Sequence, residues 1–482
     1  MFGIGALAGW LRLRHLDIIE FKLDEATAVN LARGLLHGDF ATVGLISSIG
    51  AYNPPLFIYL TAVPLAVWDD PRAATAFVGV LAAAAVMLAA LVLRPRFGTM
   101  VALGTAALFA TAPWSVLYGR KLWGQSALPL VTTAYLWSLF AVLERPRTRA
   151  VALIPVLLCL AFQLNFSALS LVIPAAFLVV FRGREVHWPA LAIGVGTAVL
   201  LLAPWLGHQA TNGFADVSLL AKGHESGDKP GYFDVIRESF RLLGVGDWRY
   251  VVGGSMPEFL TDVGRAWSLA KVASTVAAAL FVLGLVTCTV VVVRGIRTRR
   301  GWPWLMLAHA GATRALMLVW LVGVWLAIPA GGELFPHYLI VTFPVVFAVQ
   351  VLGLSDLVGV SRGVRRPATI GAVAVLVSIV TAFTAFSLSF QRFLDRYGGA
   401  SGDYGIVYRD KADLASALRA RGLRVADDPV IDFLVAGHME APPDGVPLVS
   451  VRNAFSDARP LECDSEHELR SSGLLSTCLP RP

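Results

Sequence analysis

Leu56-Phe57-Ile58-Tyr59-Leu60-Thr61-Ala62-Val63-Pro64-Leu65-Ala66-Val67-Trp68 is an uncharged apolar run set directly after the chain-breaking Asn53-Pro54-Pro55. Read as a membrane span or as a helix lying on the membrane surface, it gives opposite topologies to everything that follows. Arginines decide between the two. Arg94 and Arg96, Arg145, Arg147 and Arg149, Arg182 and Arg184, Arg294, Arg297, Arg299 and Arg300, and Arg362, Arg365 and Arg366 sit in short loops between apolar runs, the bias that marks cytoplasmic loops. If Leu56–Trp68 crossed, the loops at 94–96, 145–149 and 182–184 would all move outside. The run is therefore expected to lie at the outer face, within a first external loop spanning 12–72.

Hydrophobic residues make up 56% of the 482 positions and charged residues 15%, against about 25% charged in soluble domains. Mean hydropathy is +0.67. This is the composition of a polytopic membrane protein. The net charge of +7 does not imply a nucleic-acid partner, because the basic residues form no stripe with interleaved aromatics. Cys159 and Cys288 fall in apolar runs, as small core residues do. Cys463 and Cys478 lie in the polar tail, where an external location would permit a disulfide between them.

Runs long enough to span follow at 73–93, 97–117, 122–143, 189–206, 272–293, 315–332, 338–354 and 368–390. The stretch 150–181 is too long for one upright span and is expected to split at the polar Gln163-Leu164-Asn165-Phe166-Ser167. Residues 1–11 reach only about 16 Å as a helix against a hydrocarbon core of about 30 Å. Either the helix continues to Leu16 with Arg12 and Arg14 snorkelling, or the start lies upstream. The expected fold is an all-α polytopic membrane domain over 1–390 with about 11 transmembrane helices. A second external loop at 207–270 and a small external α/β domain at 391–482 complete it. In that tail, strand-like 404–408, helical 411–420, and strand-like 423–426 and 446–451 alternate.

Three outer stretches carry residues suited to chemistry. In Leu23-Asp24-Glu25-Ala26, at the start of an amphipathic segment over 25–37, a carboxylate beside the membrane suits a general base whose pKa is raised by burial and by its neighbour. The alternative is structural, with Asp24 as an N-cap and Glu25 favoured by the helix dipole in the first turn. In Tyr118-Gly119-Arg120-Lys121-Leu122-Trp123, Arg120 and Lys121 break the charge rule that the other loops obey. A bound phosphate would explain them, as would snorkelling to headgroups. In Glu333-Leu334-Phe335-Pro336-His337-Tyr338, His337 and Tyr338 suit contacts to a leaving phosphate or a sugar, or an interfacial anchor. A base, cations and donors on one face are what inverting transfer of a sugar from a lipid phosphate requires. The chain carries no glycine-rich phosphate loop and no large cytoplasmic domain for a nucleotide sugar, which favours a donor arriving through the bilayer.

The acidic pair, the amphipathic helix, Asn53-Pro54-Pro55-Leu56, the Tyr118–Trp123 loop and the late His337-Tyr338-Leu339 with Pro344 together resemble the GT-C membrane glycosyltransferases. The nearest branch is that of the protein O-mannosyltransferase and aminoarabinose transferase relatives, and the resemblance covers about residues 1–390. It implies a multi-pass plasma-membrane enzyme with an extracytoplasmic C-terminal domain and a polyprenyl-phosphate sugar donor. It also implies a hexosyl or pentosyl group passed to a hydroxyl of a protein, glycan or lipid. Asp24 matches the catalytic acid, with Glu25 beside it, and Arg120, Lys121, His337 and Tyr338 fall where donor-phosphate contacts are expected. Gln125 and Ser126 stand where metal-dependent oligosaccharyltransferases carry acidic residues, which counts against the divalent metal that the resemblance would allow, and no metal ligand is assigned. Two rival readings are a lipid-linked-sugar flippase or transporter, which would place ionisable groups near mid-membrane, and a non-catalytic cell-envelope assembly protein.

Overall fold

Gly98 and Asn165 set the geometry of the first half of the membrane domain. At Gly98 the backbone has φ +81°, which splits the helix Pro71–Thr111 into two limbs three residues after Pro95. Asp70 starts that helix by accepting the Arg72 N–H at 2.8 Å. At Asn165 the chain is extended, and its side chain accepts the Ser167 N–H at 2.9 Å. The polar break expected at 163–167 therefore falls between two helices. The computed structural model describes residues 1–222, 230–298, 310–331, 334–361, 365–443, 445–455, 463 and 467–480. Arg299, Arg300, Arg362 and Glu333, named above, lie outside the described residues.

In chain order the helices are α1 (Phe2–Leu13), α2 (Leu23–Leu36), α3 (Leu56–Leu65), α4 (Pro71–Thr111), α5 (Pro113–Tyr118), α6 (Gly124–Glu144), α7 (Leu153–Leu164), α8 (Val172–Arg182) and α9 (Trp188–Thr211). Then come α10 (Ala215–Lys222), α11 (Tyr232–Arg241), α12 (Trp248–Val252), α13 (Met256–Thr298), α14 (Ala310–Ala327), α15 (Phe343–Val360), α16 (Arg365–Tyr397), α17 (Tyr408–Ala420) and α18 (Pro429–Ala436). Among the described residues, 7 helical segments are long and apolar enough to cross a membrane, and Phe2–Leu13, Leu56–Leu65, Arg149–Leu164 and Gly311–Ala327 are shorter apolar helices. Every apolar run read from the sequence lies largely within one of these. The count differs from about 11 because α4 carries two runs in one kinked helix and three expected spans are short helices. At about 15 Å, α3 is too short to cross, in keeping with a surface position.

Close approach of small residues holds the centre together. A Cβ on Gly284 of α13 would meet the Val349 carbonyl of α15 at 2.0 Å, and one on Gly353 would meet Gly284 N at 2.5 Å. Backbones packed this tightly gain dispersion contact where lipid supplies no hydrophobic drive. At one end of the bundle, Arg96 forms a two-pronged pair with Glu144 at 2.5 and 2.9 Å, and Arg182 donates to the Leu143 carbonyl at 3.0 Å. Three of the arginine loops thus converge.

The tail is α/β. Strands β1 (Gly399–Ala400) and β2 (Gly405–Ile406) pair antiparallel, and β3 (Arg424–Val425) and β4 (Leu448–Val449) pair parallel. Strands β5 (Arg452–Asn453), β6 (His467–Ser472) and β7 (Leu475–Pro480) form a sheet in the order β5-β7-β6. Its own core gathers Leu414, Leu418, Val425, Ile431, Val435, Leu475 and Leu479. Cys463 and Cys478 are joined in a disulfide. The tail does not hang free. Val407 forms an antiparallel bridge with Glu20, the Tyr408 N–H donates to the Ile19 carbonyl at 2.9 Å, and the Tyr404 hydroxyl donates to the Ile18 carbonyl at 2.6 Å. On α2, Arg33 donates to the Gly437 carbonyl at 3.0 Å and Asn30 accepts the Met439 N–H at 3.1 Å.

Candidate active site

The first turn of α2 separates the two adjacent acids. Its N-cap is Lys22, and Glu25 Oε2 accepts the Lys22 N–H at 2.9 Å, filling one of the donors a helix start leaves open. Glu25 is fully buried, and burial, reinforced by Glu20, pushes its carboxyl up to about 7. Asp24, one residue earlier, is accessible and opens on a cavity of about 590 Å³. Its carboxyl is raised by partial burial, while Lys22 and Lys121 oppose the rise and Asp403 adds to it. Expected as an N-cap in the structural alternative, Asp24 is instead the second helical residue, and the capping falls to Glu25.

His337 and Tyr338 line the same cavity, together with Trp123, Gln125, Gln163, Asn165 and Phe166. Helix α6 brings Trp123 and Gln125, the α7 break brings Gln163 to Phe166, and the turn before α15 brings His337 and Tyr338. The His337 ring meets the Trp123 edge at a centroid distance of 5.2 Å. A hairpin over 44–53, closed by the Ile46–Tyr52 bridge, supplies Ser47, Ser48 and Asn53 to the wall, and Ser48 Oγ lies 2.6 Å from the Tyr338 hydroxyl.

Arg120 and Lys121 do not line the cavity. Arg120 is buried and donates to the carbonyls of Arg12 at 3.0 Å, Arg14 at 2.6 Å and His15 at 2.8 Å, so it closes the C-terminal end of α1, where a cation suits both the orphan carbonyls and the dipole. Lys121 sits behind the wall with its Nζ 3.7 Å from the Trp123 ring centroid. That ammonium lies 2.9 Å from Glu20 Oε1 and 3.0 Å from Asp403 Oδ2, and Lys22 Nζ lies 2.5 Å from the same Glu20 oxygen and 3.1 Å from Asp403 Oδ1. Of the six residues singled out from the sequence, Asp24, His337 and Tyr338 meet at one cavity, Lys121 stands one layer behind it, Glu25 turns into the core and Arg120 braces α1. Among the described residues, no group of three or more His, Cys, Asp or Glu side chains is arranged to hold a metal.

Glu20, Lys22, Asp403 and the 44–53 hairpin were missed in the sequence. The signal available for the first two was local: Glu20-Phe21-Lys22 alternates charge about a buried aromatic immediately before the acidic pair. Asp403, in Gly402-Asp403-Tyr404-Gly405, carried none, since 381 positions separate it from Lys22.

A sequence-family model described as dolichyl-phosphate-mannose-protein mannosyltransferase matches residues 52–208. No curated protein matches the sequence significantly. In fold the chain is similar to ArnT from Cupriavidus metallidurans bound to undecaprenyl phosphate, at a TM-score of 0.61 and 12% identity, covering 99% of this chain and 97% of that one. The apo state of that protein gives 0.60 and 13%, covering 98% and 96%. The oligosaccharyltransferase of Archaeoglobus fulgidus in complex with Zn and sulfate matches at 0.47 and 12% identity, over 92% of this chain and 58% of that one. The fold is thus of the GT-C membrane type. The likeness is in fold to ArnT and, over residues 52–208, in sequence to the dolichyl-phosphate-mannose-protein mannosyltransferase family, as the sequence motifs implied.

Proposed function

We propose that the protein is an integral membrane glycosyltransferase that moves a hexosyl or pentosyl group from a polyprenyl-phosphate carrier to a hydroxyl on the extracytoplasmic face. The observation that carries this reading is that Asp24, whose carboxylate accepts no hydrogen bond among the described residues, opens on the cavity shared by His337 and Tyr338. In the reaction Asp24 takes the proton from the acceptor O–H as that oxygen attacks the anomeric carbon. The bond from that carbon to the phosphate oxygen breaks, and the carrier leaves as polyprenyl phosphate with inversion at the sugar. Burial raises the basicity of Asp24, which brings it closer to what proton abstraction needs. His337 and Tyr338 offer polar groups to the departing phosphate. The acceptor is a protein, glycan or lipid hydroxyl, and the α/β tail faces the same side of the membrane.

Asp24→Asn keeps the size and helical position of the side chain and removes only its basicity. Membranes containing this variant should hold folded protein and release polyprenyl phosphate from a polyprenyl-phosphate sugar at least ~10³-fold more slowly than wild type, in the range expected for loss of a general base. Undiminished release would remove the assignment.

A further inference from the structure

Glu20, Lys22, Lys121 and Asp403 form a closed ring of two anions and two cations drawn from three stretches of the chain. Each lysine ammonium touches both carboxylates, at 2.5 to 3.1 Å, and the Asp403 backbone carbonyl accepts a further bond from Lys22 Nζ at 2.5 Å. Glu20 and Lys121 are almost fully buried, so neither charge is screened by solvent, and removing any single member leaves an uncompensated charge.

The turn that carries Asp403 is fixed independently of the ring. The Asp403 N–H donates to the Tyr250 carbonyl at 2.8 Å, and Ser255 and Ser401 exchange backbone-to-hydroxyl bonds at 2.8 and 3.0 Å. Gly402 lies so close to α12 that a Cβ there would meet Gly253 N at 2.5 Å. Asp403 is therefore an anchor to which the lysines come, rather than a side chain that follows them. Burial opposes its ionisation, yet Lys121 and Lys22 hold its carboxyl down at about 2. Lys22 in turn is the N-cap of α2, two residues before Asp24.

Resting on the reading of Asp24 as the base, we propose that Asp403 is a positioning residue for it: by pinning Lys22 and Lys121 together with Glu20, Asp403 fixes the first turn of α2 against the cavity and keeps the charge behind Asp24 balanced. The charged groups acting on Asp24 are Lys22 from its own helix start, Lys121 from the α5–α6 connection and Asp403 from the tail, and His337 shares the cavity wall. With Asp403 neutral, the ring carries one net positive charge, which stabilises the Asp24 carboxylate and weakens it as a base. With Lys22 neutral, the ring carries one net negative charge and Asp24 becomes more basic.

The test uses full-length protein in native membranes, which supply the acceptor, and follows release of polyprenyl phosphate from a polyprenyl-phosphate hexose or pentose across pH. Asp403→Asn should move the acid limb of the rate profile to lower pH by on the order of 1 unit and lower the plateau. Asp403→Glu should restore both. Lys22→Gln should move the limb the opposite way, and carries the test alone if Asp403→Asn fails to fold. A lower rate with an unmoved limb in both variants would make Asp403 merely structural and overturn the proposal. A wild-type protein that releases no polyprenyl phosphate from either donor would instead overturn the underlying reading of the enzyme.

Discussion

The hydroxyls of Ser48 and Tyr338 lie 2.6 Å apart, across 290 positions of sequence, and join the 44–53 hairpin to the far wall of the cavity. The bond ties a loop to a membrane-domain turn at the wall of the cavity on which Asp24 opens. Ser48→Ala should lower stability by about 1 kcal/mol, the net worth of one hydrogen bond, and, by releasing the hairpin from the cavity wall, raise KM for the donor several-fold with kcat nearly unchanged. Donor titration of the two proteins in the same membranes checks this, and a fall in kcat alone would assign Ser48 to the chemical step.

Glu25 should make stability depend on pH in a direction unusual for a carboxylate. Its folded-state pKa of about 7 lies above the value of about 4.3 for an unfolded chain. Its contribution favours folding fully below the unfolded value and is lost as pH rises through about 7. Glu25→Gln keeps an oxygen to accept the Lys22 N–H but cannot ionise. Its melting temperature should therefore exceed that of wild type at pH 8 and approach it at pH 4. An equal difference at both values would show that Glu25 ionises as readily in the fold as out of it.

Arg120→Ala should damage the fold before it damages donor binding. Three strong carbonyl acceptors at the end of α1 lose their donor, a loss of about 2–4 kcal/mol for a buried charged hydrogen-bonding group. The variant should melt several degrees lower in detergent, and its remaining folded fraction should bind polyprenyl-phosphate sugar with wild-type KM. A raised KM with unchanged melting would return Arg120 to the phosphate.

The Cys463–Cys478 bridge offers a check on sidedness. In intact cells, a membrane-impermeant thiol reagent should label the pair only after reduction by an impermeant reductant, as for an oxidised pair on the outer face. No labelling even after the impermeant reductant, with labelling once the cells are opened, would place the tail on the inner face. Cys478→Ser should loosen the β5-β7-β6 sheet by about 3 kcal/mol, seen as faster proteolysis of the tail, with the rate of sugar transfer unchanged.

Much of the membrane architecture was legible because hydropathy acts over twenty residues at a time and arginine bias orients the result. The break at Asn165 could be read because polar residues interrupt an apolar run. The boundaries of α13 could not: its first turns, from Met256, are polar enough to resemble the loop expected over 207–270, and only packing extends the helix. In the site, Asp24 with His337 and Tyr338 was reachable from residue type and position relative to the spans. The split between Asp24 and Glu25 was not, since a one-residue change of direction on a helix start depends on which backbone N–H needs a partner. Arg120 misled for a physical reason. A lone cation at the outer face fits a phosphate and a helix C-terminus equally well, and only coordinates reveal the carbonyls of Arg12, Arg14 and His15. Asp403 was invisible because contacts across nearly the whole chain leave no local trace.

The pairing of Glu20 with Val407 bears on biogenesis. Translation delivers Val407 only after Glu20 and the membrane helices of the intervening chain have been made. A ribosome-bound intermediate therefore carries Lys22 and Lys121 without half of their counter-charge. On the proposed function, fragments released before Val407 is made should transfer no sugar.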